Sequence, residues 1–316
     1  MHKYVISSQN LRVFAISKGA TITQIQVLNQ GVWMDTILDY ADENTYLNTD
    51  PYYLNCVVGP HAGRIKDGVY QIGDQTIQLD RNVNGNHHHG GKDSFKDILF
   101  DVQVEDQTLT FTTYDEVHGI DVSIWVRVSD SDLTIAYKAI PKTPQVINMT
   151  HHLYFNLSDE KTIKYHTLKV DAPFVHAVDE TGASTSEIIE VHNTPFDFSN
   201  KPYLKDRLEM THPQFEFTRN IDHAFYTKNL PLVLESPRAH LGVEIRSTAD
   251  YTVLYTANFF EGETSFVNRG PSQRAEAIAI ESQDCPNGVN IEGTKDQIYN
   301  QARPYTQTTT YHFYSL

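Results

Sequence analysis

Four short stretches of this chain gather side chains able to move protons or hold a polar ligand. The densest is Asn86-His87-His88-His89-Gly90-Gly91. Adjacent residues of an extended chain point to opposite sides, so the three imidazoles cannot all act at one place. One of them could bind or catalyse, or they could ligate a metal with donors from elsewhere; an ordinary surface loop is the bland reading. The glycine pair lets backbone approach a ligand closely, which favours a site. The second stretch, VINMTHHLYFNL at 146–157, separates by alternation. Asn148, Thr150, His152, Tyr154 and Asn156 fall on one side, and Ile147, Met149, His151, Leu153, Phe155 and Leu157 on the other. The apolar side is a core face, which makes His151 a packed, hydrogen-bonded core histidine. His152 lies among neutral hydrogen-bonding groups, without the Lys and Glu of a solvent-washed sheet, and such a face suits a cleft for a polyhydroxylated ligand.

The third stretch is EAIAIESQDCPNGVN at 276–290. Glu281 ends an apolar strand and shares its face with Ala277, Ala279 and Gln283, small neighbours that leave room for a ligand. Desolvation at the edge of an apolar sheet raises a carboxylate pKa toward what a general base near neutrality needs. An exposed strand-end glutamate is the alternative. The fourth signal has two parts. Asp222-His223 enters a strand, and GPHAGRI at 59–65 sets Arg64 beside glycines. A turn cap at Asp222 and a surface cation at Arg64 are their structural readings.

Strands must position these groups, because β-rich runs recur between turn signals along the chain. Residues 69–79 read as a hairpin, VYQI and QTIQL around a two-residue Gly73-Asp74 turn. LTFTTY at 109–114, VSIWVRV at 122–128 and LTIAYKAI at 133–140 form a meander. Later strands are expected at 243–247, 252–259, 276–282 and 308–314, and a helical turn or two at 205–210. Short strands without alternating helices argue for an all-β sandwich or barrel. No linker or repeat divides the chain, which reads as one domain over 1–316.

Composition narrows the function. The chain has 316 residues with 25 Lys and Arg against 40 Asp and Glu, a net charge of −15. That field repels nucleic acid and anionic membranes. No GxGxxG or GxxxxGK[ST] loop occurs, which removes the usual nucleotide readings. Cys56 and Cys285 form no CxxC, so a disulfide framework or cysteine zinc site is not expected, and two reduced thiols in a cytoplasmic protein are. The first ten residues lack a signal-peptide core, and no run approaches the ~20 apolar residues of a membrane span. A histidine-ligated metal is not expected either, since the histidines lack the i,i+2 strand spacing or HExxH helix that aims two imidazoles at one ion.

Taken in order, the motifs resemble the aldose 1-epimerase (galactose mutarotase) family. Gly59–Ile65 is similar to its GRxANRI, Asn86–Gly91 to its N-x-L-H-G-G, and Asn148–Leu157 to its NLTNHSYFNL. Thr181-Gly182 with Thr194-Pro195-Phe196-Asp197-Phe198 resembles its TG…TPFDF stretch. Ile221-Asp222-His223 matches its YDH element, and Glu281-Ser282-Gln283 with Pro286 and Asn290 its ETQ-x-x-P-x-x-x-N. Pro60, Gly63, His151 and Leu153 depart from the pattern at positions of Arg, Asn, Asn and Ser, and Phe100 stands where Trp is usual. The resemblance implies a large antiparallel β-sandwich, the galactose mutarotase-like supersandwich, with the site on a sheet face. It implies interconversion of the α and β anomers of a free hexose such as galactose or glucose, without cofactor or metal. Glu281 would be the base and a protonated His152 the acid, with Arg64, His89 and Asp222 holding hydroxyls. A hexose-6-phosphate epimerase, which would need further cations such as Arg81 or Lys92 near Arg64, and a non-catalytic sugar-binding protein are the alternatives. A sugar is the only partner implied, and a monomer or homodimer the assembly.

Overall fold

The computed structural model describes residues 2–316. Two large antiparallel sheets dominate. The first has eight strands in the order Asp101–Glu105, Thr108–Asp115, Ile120–Ser129, Asp132–Pro141, Tyr305–Ser315, Leu241–Ser247, Leu232–Ser236, Thr167–Val170. The second has six, in the order Tyr154–Phe155, Ile278–Gln283, Tyr251–Tyr255, Asp222–Tyr226, Phe174–Val178, Ser184–Glu190. A four-stranded N-terminal sheet runs Tyr4–Ser7, Leu11–Ala15, Ile22–Asn29, Val32–Asp35. Helix is limited to short pieces such as Leu204–Leu208, close to the turn expected at 205–210.

Alternation along each strand builds the core. Val122, Ile124 and Val126 of the eight-stranded sheet meet Val13 and Ile25 of the N-terminal sheet and Phe225, Leu254, Ile278 and Ile280 of the six-stranded sheet in one continuous apolar cluster. Each such side chain contributes roughly 1.5–3 kcal/mol on full burial. The intervening residues of the six-stranded sheet therefore face away from this cluster, and there the polar set lies: Glu281 and Gln283 flank Ser282 on one strand, Tyr255 follows Leu254 on the next, and Asp222 opens the third. Pairing fixes their neighbourhood, since Val253 sits opposite Glu281 and Tyr255 opposite Asp222.

The hairpin at 69–79 forms as expected, with Ile72 opposite Gln75 and Gly73 at φ 55°. The meander is present in consecutive register. The strand expected at 252–259 stops at Tyr255: Thr256 still donates its backbone N–H to Ile221 O, and Ala257, at φ 54°, then turns the chain away. The N-terminal sheet was not anticipated, although Gln30-Gly31, both at positive φ, closes a two-residue hairpin between Asn29 and Val32. Among the described residues no helix is long and apolar enough to cross a membrane.

Candidate active site

A cavity of about 410 Å³ opens on the polar face of the six-stranded sheet, and Arg64, His89, His152, Asp222 and Glu281 all line it. Glu281 is not a strand-end residue at the surface. It sits inside a strand paired on both sides and is 2% exposed. Its Oε2 accepts a hydrogen bond from Gln283 Nε2 at 3.3 Å, and its Oε1 lies 3.4 Å from His152 Nε2. Burial, with the Asp222 carboxylate adding to it, pushes Glu281 well above the ordinary glutamate pKa, while the Arg64 guanidinium pulls the other way.

His152 is set by its backbone, which donates to Cys56 O at 3.0 Å and accepts from Asn55 N at 3.1 Å. Its ring stacks on Tyr154 with centroids 4.7 Å apart. Burial drives its pKa down to about 3, so the imidazole is neutral in the ligand-free site. This corrects the expectation of a standing imidazolium. Burial moves both members of the pair toward their uncharged forms.

His89 is fixed as a particular tautomer. Gly63 N donates to its Nδ1 at 3.1 Å, so Nδ1 accepts and Nε2 carries the hydrogen, free to donate to a ligand. The two glycines that follow serve the protein rather than a ligand. A Cβ on Gly90 would lie 2.1 Å from Gly59 O, and one on Gly91 2.2 Å from Asp80 Oδ1. His87 hydrogen-bonds His61 and Asp80, and Asn86 bonds Asp67 N and Thr181, so these two side chains secure the loop. Arg64 pairs in register with His88. Its guanidinium lies against Gly182, where a Cβ would approach Cζ to 3.1 Å, and its buried Nε has no partner among the described residues. Asp222 is raised by burial and lowered by Arg64, and makes no side-chain hydrogen bond among the described residues. Each of these groups is thus available to a ligand.

The alternation read at 146–157 holds for the apolar side. His151 receives a hydrogen bond from Tyr137 Oη at 2.8 Å and donates to Ala20 O at 3.1 Å, deep in the core. The polar side is less a cleft than expected, because only His152 and Tyr154 reach the cavity. Asn148 bonds Gln283 and Asp284, and Asn156 bonds Glu276 O, which ties strands together. Among the lining residues that went unassigned in sequence, three bear on the chemistry. Gln283, two positions from Glu281, had a signal in its shared face; His88 was inseparable from its neighbours; Tyr255 looked like any strand aromatic. Long-range folding also brings His89, His152 and Glu281 donor atoms within 4.8 Å of one another. Spacing along the chain therefore does not exclude a metal as supposed, since these are the two-histidine, one-carboxylate donors zinc takes.

The aldose 1-epimerase family model matches residues 2–312. The galactose mutarotase of Homo sapiens is 28% identical over 99% of this chain and 94% of its own length. The maltose epimerase of Levilactobacillus brevis is 26% identical over 98% and 94%. The solved structure of an aldose epimerase homologue from C. elegans superposes with a TM-score of 0.90 at 22% identity, covering 100% of this chain and 99% of that one. The β-sandwich is accordingly the galactose mutarotase-like fold, and with a family model spanning nearly all of its length the chain belongs to the aldose 1-epimerase family.

Proposed function

We propose that the chain, acting as one domain over residues 1–316, interconverts the α and β anomers of a free hexose such as galactose or glucose, with Glu281 as base and His152 as acid. The isomerase activity is that of its family. One relative is named for galactose and another for maltose, both sugars with a free anomeric centre. When a sugar displaces water, its hydroxyls and Arg64 favour the Glu281 carboxylate, and the pair's single proton moves to His152. Glu281 then takes the O1 proton while His152 protonates the ring oxygen. The C1–O5 bond breaks, the aldehyde turns about C1–C2, and the ring closes on its other face as both protons return. His89 Nε2–H, Arg64 and Asp222 hold hydroxyls in position.

The observation that carries this reading is the 3.4 Å contact between His152 Nε2 and Glu281 Oε1, both buried, in a cavity roomy enough for the ligand. Its charge pattern favours a neutral sugar. Arg64 is the one Lys or Arg among the lining residues, beside Asp222, Glu263 and Glu281; Arg81 and Lys92 are not among them. All five polar groups come from one chain, so a monomer and a homodimer serve equally. We place the protein in the cytoplasm, where the buried, unpaired Cys56 and Cys285 stay reduced. Polarimetry across glucose, galactose, xylose, arabinose and the hexose 6-phosphates tests the reading. Free sugars should equilibrate far faster than in buffer; turnover of the phosphates alone, or binding without turnover, would replace it.

A further inference from the structure

We infer that His88 is a specificity-determining residue whose ring nitrogens hold the C6 hydroxyl of a hexose; this rests on the epimerase reading above. The loop that presents it is built locally. Asn84 and Gly85 take φ 49° and 80°, which closes a two-residue hairpin. Val83 N donates to Asn86 O at 3.2 Å, and Asn86 N to Val83 O at 2.8 Å. Next to that turn, the Asn82 side chain accepts from His88 N at 2.8 Å and donates to His88 O at 2.9 Å. Both backbone groups of His88 are thus held by one amide, and across the ladder it stands opposite Arg64.

The three consecutive imidazoles have different fates. His87 turns to His61 and Asp80, and His89 Nδ1 accepts from Gly63 N. His88 is half-buried in the cavity wall, and neither of its ring nitrogens has a hydrogen-bond partner among the described residues. Its ring lies 3.7 Å from that of His89, with Tyr53 edge-on at 6.2 Å, so its place is fixed although its nitrogens are unclaimed. Burial, with His89 and Arg64 nearby, holds it neutral, which leaves one nitrogen to donate and one to accept. A hydroxyl both donates and accepts.

Position selects which hydroxyl. Glu281 takes the O1 proton and His152 protonates O5, so the two sides of the sugar ring are assigned. Asp222 stands near enough to Glu281 for its charge to act there, on the O1 side beside C2. The His89 ring follows that of His152 at 5.5 Å and His88 follows His89, on the O5 side beside C5. The C5 substituent of a hexose is CH2OH, which a pentose lacks. Tyr53 and Val83 also line the cavity and offer apolar surface to the methylene, while the imidazole takes the hydroxyl.

The test measures mutarotation of D-galactose, D-fucose and L-arabinose, which share ring stereochemistry and carry CH2OH, CH3 and H at C5, in wild type, His88→Phe and His88→Gln. Wild type should show a kcat/KM for galactose about tenfold above that for D-fucose, the effect of one hydrogen bond, and L-arabinose should be no better than D-fucose. His88→Phe keeps a flat ring against His89 without its nitrogens. It should bring the galactose-to-fucose ratio close to one, chiefly by raising KM for galactose, and His88→Gln should restore part of the ratio. Turnover of D-fucose in each variant shows that it folds with the catalytic pair in place. A wild-type ratio near one, or equal losses on galactose and D-fucose in His88→Phe, would overturn the role of His88 and leave the epimerase reading intact. Absence of wild-type turnover on all three sugars would remove the epimerase reading and this assignment with it.

Discussion

In the proposed mechanism the chemistry rests on Glu281 as base and His152 as acid. Glu281→Gln keeps size and hydrogen bonding but cannot accept the O1 proton, and general-base catalysis contributes ~10²–10⁴-fold. Turnover should fall by that factor while sugar affinity, measured by calorimetry, changes little. A variant within threefold of wild type would send the proton elsewhere, with Asp222 next in line. The pH profile follows from the two shifts. Glu281 is raised well above 4.5 and His152 lowered to about 3, so the singly protonated pair spans the range between. Activity should fall on the alkaline side as the pair loses its proton, and on the acid side only near the low pKa where it gains a second. This reverses the limb that Glu281 would govern if it were ionised at rest; a profile without an alkaline limb in kcat/KM would return to that picture. His89, His152 and Glu281 could also hold a metal, so exhaustive EDTA treatment is informative. Full activity is expected, and loss restored by zinc or manganese would overturn the acid–base route.

Strand alternation decides which histidine does what. His151→Ala leaves Tyr137 Oη and Ala20 O without their partner and should cost roughly 1–3 kcal/mol in urea midpoints, with activity per folded molecule retained. Gly182 shows a different kind of positioning. It takes φ 83°, and a Cβ would stand 3.1 Å from Arg64 Cζ. Gly182→Ala should therefore displace the guanidinium and raise KM by roughly tenfold, since small misplacements of a binding group are costly; unchanged KM would show that Arg64 does not touch the sugar. The hairpin at 69–79 and the meander were legible because turn residues and period-two patterning are local. The strand break after Tyr255 was not, because it depends on Ile221 O and Asn258 partners more than thirty residues away in sequence.

Across the molecule, burial of histidine sets the response to acid. His151 is lowered to about 4 and His152, His166 and His223 to about 3, from 6.5; His61, His88 and His89 fall well below 6.5 as well. The cause in each is desolvation. A lowered folded pKa means stability that is present above 6.5 and lost as pH falls toward the folded value. Asp39 and Asp50, raised from 3.8 to about 6, act in the opposite sense, favouring the fold at low pH and losing that contribution as pH rises through 6; Glu281 and Asp222 share that sign. His87, His176 and His212 are lowered too, and Glu276 is raised; the ten lowered histidines outweigh the five raised carboxyls, so near pH 5 the unfolded chain binds more protons. Melting temperature should drop as pH falls below about 6.5, at about 1.4 kcal/mol per pH unit for each excess proton. Calorimetry in buffers of different ionisation enthalpy reads that proton uptake directly, and a melting temperature that rises toward pH 5 would refute it.

Residue types and their spacing were enough to divide 146–157 into a core side and a polar side, to place Glu281 and Gln283 on one face, and to predict an all-β sandwich or barrel, which the family resemblance narrowed to a sandwich. Those properties follow from backbone geometry that each short segment carries with it. Three things depended on distant parts of the chain. His89, His152 and Glu281 converge only because the loop after residue 85 packs against the strand edge at 152 and both face the Ile278–Gln283 strand. Glu281 is pushed up and His152 down because desolvation is a sum over every atom that excludes water. Phe259 stands at the cavity mouth because a turn anchored to Thr218 and Ile221 carries it out of the sheet.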